Sequence, residues 1–87
     1  MTLEFGAENN TDHWHDFDAM VYVLEGSVTV TDAETGESCD VAAGYKFSAP
    51  GGLLHREQTE GYRALIGFRL PPEGLTQPVN KPPPVRL

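Results

Sequence analysis

Between Ser27 and Asp32 the chain alternates strictly, with Val28 and Val30 on one side and Ser27, Thr29 and Thr31 on the other. A period of two marks a half-buried β-strand. Ala19–Glu25, rich in β-formers, predicts a strand that ends at Glu25-Gly26. Further β-rich runs follow at Glu37–Val41, Tyr45–Ser48, His55–Thr59 and Tyr62–Leu70, and short ones precede at Leu3–Phe5 and His13–His15. The breaks between them are Ala33-Glu-Thr-Gly36, Ala43-Gly44, Pro50-Gly51-Gly52 and Glu60-Gly61. No helical period of useful length occurs. Short strands parted by turn signals every eight to twelve residues predict an all-β sandwich or barrel. Cys39 and Val41 share a face of their run, which makes Cys39 a small core residue; Tyr45, Phe47 and Tyr62 read as core.

From Pro71 the character changes. Six of the seven prolines lie in Pro71–Pro84, and proline cannot donate to a ladder. The chain thus divides into a barrel domain, 1–70, and a Pro-rich extended tail, 71–87, loose or laid across a partner subunit.

The 87 residues leave room for one core only. A domain of this size buries roughly 60–65% of its chain surface, so a homodimer that adds burial is expected. Six Lys and Arg stand against 13 Asp and Glu, a net charge of −7. That balance disfavours nucleic acid and anionic membranes as partners. Ten acids and no Lys or Arg lie in residues 1–45, whereas all six bases lie in residues 46–87. Antiparallel pairing can use that asymmetry to join early acids to late bases; Glu8, Asp32, Glu34, Glu37 and Asp40 read as turn or solvated acids. The longest apolar run, Ala19–Leu24, is far short of a membrane span. No signal-peptide pattern opens the sequence, and Cys39 is the only cysteine. A cytoplasmic protein is expected.

Candidate chemistry centres on three histidines. His13 and His15 are two apart, so on a strand both imidazoles point to one face while Trp14 points away. His55 follows the Pro50-Gly51-Gly52 break and can complete a facial set. Imidazole suits iron, nickel, copper, zinc or manganese, and three neutral ligands leave positions open for water or substrate.

These residues resemble the two motifs of the cupins, small β-barrels of jelly-roll type. The second motif, G-x5-P-x-G-x2-H-x3-N, matches at Gly44, Pro50, Gly52 and His55, with Thr59 in the Asn position. The first, G-x5-H-x-H-x3–4-E-x6-G, matches at His13, His15 and Gly26, with Gly6 one residue early. The resemblance covers Thr11 to Leu70. It implies an antiparallel barrel that binds a divalent transition metal (Fe, Ni, Mn or Zn) through His13, His15 and His55. It further implies dioxygenase-, isomerase- or decarboxylase-like chemistry on a small organic molecule, or else a metal-free or metal-assisted ligand-sensing module without catalysis.

The informative departure is Ala19, which stands where the family motif has its Glu. Losing that carboxylate raises the charge of any metal complex by one unit. Two acids are candidate replacements. Glu57, two residues after His55, shares its face and is a carboxylate for ligation, hydrogen bonding or proton transfer. Asp18 adjoins the vacant position. The Asp16–Asp18 and Gly51–Leu54 segments are expected at the cavity mouth.

Overall fold

Ala19, Val21 and Val23 are buried while Asp18, Met20, Tyr22 and Leu24 are exposed, the alternation of a strand with one face on a core. The computed structural model describes residues 1–9, 11–74 and 79–83. Its strands are β1 (Thr2–Phe5), β2 (Glu8–Asn9), β3 (Asp18–Asp32), β4 (Ser38–Ala42), β5 (Lys46–Ala49) and β6 (His55–Arg69). All pairings are antiparallel. The long strands β3 and β6 pair along their full length, from Asp18↔Arg69 to Asp32↔His55. On the far edge of β6 lie β1 and β2, and on the far edge of β3 lie β4 and β5. The architecture is all-β, as the pattern predicts.

Gly26 and Gly61 do not end strands. β3 and β6 each run through their glycine, and the two meet, with Gly26 paired to Tyr62 and Ser27 to Gly61. Register shifts between Val23 and Glu25 and between Ser27 and Thr29 mark bulges there, and bulges bend strands. Gly26 has φ +79°, and a Cβ on it would strike the Gly61 carbonyl oxygen. The pair lets both 15-residue strands turn at one place, which wraps the sheet around a core of Val21, Val23, Val28, Val41, Tyr62, Ala64 and Ile66. The bulges also shift the inward set. Val28 and Thr31 are buried and Val30 is only half-buried, so the strict Val28/Val30 face holds only in part.

Two further expectations are corrected. Cys39 is exposed, not core; on the edge strand β4 only Val41 is buried. Tyr45, in the link between β4 and β5, is 69% exposed. The Asp32–Glu37 turn is as expected. Asp32 Oδ1 accepts from the Glu34 and Thr35 N–H groups, the Asx geometry that favours Asp at a hairpin. The charge asymmetry is also used: Glu25 pairs with Arg63 at 2.7 Å, Asp12 with Arg56 at 3.0 Å and Asp16 with Lys81 at 3.7 Å. Each joins an early acid to a late base. The Pro-rich segment is not wholly apart from the barrel, since Lys81 bridges Trp14 through both backbone hydrogen bonds. Residues 75–78 and 84–87 of the expected tail lie outside the described residues.

Candidate functional site

His13 and His55 form an isolated antiparallel bridge, His13 N–H to His55 O at 2.8 Å and His55 N–H to His13 O at 2.9 Å. That bridge brings together histidines far apart in sequence. His15 is fixed by its own neighbours. The Gly52 N–H donates to its carbonyl at 2.9 Å, and its ring stacks on Phe17 with centroids 4.1 Å apart. The Pro50–Gly52 turn is held in place by Asp18, whose Oδ1 accepts the Gly51 N–H at 2.7 Å. Asp18, at the start of β3, therefore anchors the loop that seats His15 and is not among the residues lining the cavity beside the imidazoles.

The three rings cluster. Centroids are 4.6 Å apart for His13–His55, 5.1 Å for His15–His55 and 6.3 Å for His13–His15. His55 and His15 are buried and His13 is half-buried. Each ring makes the same hydrogen bond. Nδ1 lies 2.9 Å from the Thr11 carbonyl in His13, 3.1 Å from the Phe17 carbonyl in His15 and 2.9 Å from the Leu53 carbonyl in His55. A carbonyl only accepts, so Nδ1 carries the proton in all three. In the neutral ring this leaves the lone pair on Nε2, the tautomer and outer hydrogen bond of a metal-ligating histidine. Burial lowers the pKa of His15 from 6.5, partly offset by the Phe17 carbonyl, with the His55 and His13 rings adding to the lowering. His15 is thus held neutral. The donor chemistry fits a metal ion. Among the described residues, no group of three or more His, Cys, Asp or Glu is arranged to hold one as it stands.

All three histidines line one cavity of about 230 Å³, somewhat below the roughly 300–1,000 Å³ of most ligand pockets. Phe17, Phe47 and Phe68 contribute aromatic wall, and Ala19 presents a methyl group where a carboxylate is expected from the motif. Ala19 is 9% exposed, between Ala49 and Phe68 in the sheet register. Glu57 lines the cavity with His55, as do Glu8 and Tyr62. Burial raises the Tyr62 pKa well above 10, and the nearby charges of Glu57 and then Glu8 raise it further. Tyr62 stays a neutral phenol, stacked on Phe5 at 4.6 Å.

Sequence reasoning missed Glu8, Tyr62 and Asn80 as cavity residues. Glu8 reads as a solvated acid until β2 pairs with β6, with Glu8 opposite Thr59. Tyr62 lies beyond a glycine that looks like a turn. Asn80 belongs to the Pro-rich segment, and no local signal places it at the cavity.

A family model described as a cupin domain matches residues 1–65. Among solved structures, the fold is similar to a DUF861 family protein from Thermotoga maritima, with TM-score 0.69 and 26% identity over 79% of this chain and 77% of that one. It is similar to the polyketide cyclase RemF from Streptomyces resistomycificus, with TM-score 0.63 and 26% identity over 75% of this chain; the match spans 49% of the cyclase. Protein NMB1881 from Neisseria meningitidis gives TM-score 0.62 and 25% identity over 75% of this chain and 67% of that one. No curated protein matches the sequence.

Proposed function

The chain belongs to the cupin domain family, and we propose that it is a small cupin that takes a divalent transition metal on His13, His15 and His55 and receives one compact organic molecule in the adjoining cavity. The observation that carries this reading is the shared hydrogen-bond pattern, three Nδ1 atoms committed to backbone carbonyls on three residues of one cavity. Such outer bonds leave Nε2 ready to ligate. Iron, nickel, manganese and zinc all accept imidazole. A bound metal supplies Lewis acidity or oxygen activation at its open positions, the chemistry of a dioxygenase- or isomerase-like enzyme.

The chain's own residues do the rest. Phe17, Phe47 and Phe68 favour a flat apolar body. Tyr62, kept protonated, offers a hydrogen-bond donor, and Glu57 offers an acceptor or proton-transfer group on the face of His55. That one structural relative is a polyketide cyclase supports an organic occupant. An exposed single thiol, Cys39, suits a reducing cytoplasm. The exposed Met20, Tyr22, Leu24 and Leu65 support a homodimer through the outer face of the sheet.

The second reading is a ligand-binding module without catalysis, and Ala19 in place of the motif's Glu, together with the lack of a metal-ready group among the described residues, favours it. Titration with Co²⁺ separates the two. A ligand-field absorption that saturates at one ion per chain, and is lost in His15→Ala, supports the metal site. Co²⁺ spectra identical to the free aquo ion overturn it.

A further inference from the structure

The segment His13-Trp14-His15 is held from two sides. On one side His13 exchanges backbone hydrogen bonds with His55 of β6. On the other, Trp14 N–H donates to Lys81 O at 3.1 Å and Lys81 N–H donates to Trp14 O at 2.8 Å. The Trp14 indole adds a third bond, Nε1–H to Pro82 O at 2.9 Å. Lys81 is 8% exposed, its Nζ lies 3.7 Å from Asp16 Oδ2, and it sits 5.7 Å from the Trp14 ring centroid. Val79 packs on the core, and Asn80 lines the cavity that the histidines line. Residues 79–83 lie beyond the segment matched by the family model.

We propose that Val79–Pro83 is a strap that completes the site, its clamp on Trp14 positioning His13 and His15 and its Asn80 closing the cavity wall. The physical reason is the bond pattern. The His13–His55 bridge and the bond from Gly52 N–H to the His15 carbonyl hold one edge of the segment; a second ladder at Trp14 on the opposite edge fixes its twist and with it the directions of both imidazoles. Prolines suit such a strap, because Pro82 and Pro83 stiffen it and need no ladder donor beyond Lys81. The metal part of this inference rests on the proposed three-histidine site; the docking part does not.

Trp14 is the only tryptophan, so its emission reads docking directly. The test compares the full chain with Lys81→Pro, which removes the N–H that reaches Trp14, and with Lys81→Ala, which keeps it. Lys81→Pro is expected to red-shift Trp14 emission and increase acrylamide quenching. It is expected to weaken Ni²⁺ binding by about 10–100-fold in calorimetry, the range for losing a group that orients metal-binding histidines, with Lys81→Ala much closer to the parent. In the unaltered chain, amide hydrogen exchange at Trp14 and Lys81 should be slow. Fast exchange at both, or emission unchanged by Lys81→Pro, overturns the strap. A changed emission with unchanged Ni²⁺ affinity overturns the positioning role. If the parent takes up no Ni²⁺, the metal reading fails separately, and positioning is judged by the His13 and His55 amides: faster exchange in Lys81→Pro supports it and unchanged exchange refutes it.

Discussion

Ala19 stands on the wall of the cavity that His55 lines, buried and flanked in the sheet by Ala49 and Phe68. A methyl group there costs nothing to bury, and it removes the one charged ligand that the family motif would supply. Ala19→Glu should therefore do two opposite things. Without metal it buries a carboxylate among apolar neighbours and should lower stability by about 3–5 kcal/mol. With metal it adds an anionic ligand and should tighten binding about tenfold or more. Thermal melts with and without Ni²⁺ check both directions.

His15 makes the apo protein acid-sensitive. Burial lowers its folded pKa below the unfolded value of 6.5. As pH falls, the unfolded chain takes up the proton first, so stability is full above about 6.5 and is lost as pH drops toward the folded value. Urea midpoints of the metal-free chain should fall between about pH 7.5 and about pH 5, and His15→Gln should flatten that slope.

Gly26 and Gly36 share a left-handed backbone, φ +79° and +78°, but differ in surroundings. A Cβ at Gly26 would strike the Gly61 carbonyl, whereas one at Gly36 meets nothing within 4 Å. Gly26→Ala should cost about 3 kcal/mol, combining backbone strain with overpacking. Gly36→Ala should cost only about 1–2 kcal/mol, from the backbone alone. Equal losses in denaturant unfolding would mean that the close approach of β3 and β6 contributes little.

The outer face of β3 and β6 sets Tyr22 directly opposite Leu65, both exposed. A homodimer through this face should dissociate in Tyr22→Glu, with the fold retained. Sedimentation velocity at several concentrations reads the change; a parent chain that sediments as a monomer throughout contradicts the dimer.

The strands and the histidine cluster were legible because each has a local signature. Period two marked β3, and the His13-x-His15 and Pro50-x-Gly52-x2-His55 spacings marked the imidazoles. What stayed hidden depends on partners distant in sequence. Gly26 and Gly61 look like strand ends one at a time. Only their meeting across the sheet lets the chain run through them, and the bulges it creates bury Thr31 and leave Val30 half out. Cys39 alternates like a core residue, yet of the two residues on that face of β4 only Val41 reaches the core. Glu8 and Asn80 reach the cavity through pairings made by β2 and by Lys81, which no short window of sequence encodes.

The most direct measurement of the central proposal is elemental analysis of tag-free, as-purified protein beside its His55→Ala variant. The three-histidine site predicts near-stoichiometric iron, nickel, manganese or zinc in the parent and none in the variant. Metal-free protein in both, even after reloading with divalent ions, would contradict it and leave the cavity as a site for an organic ligand alone.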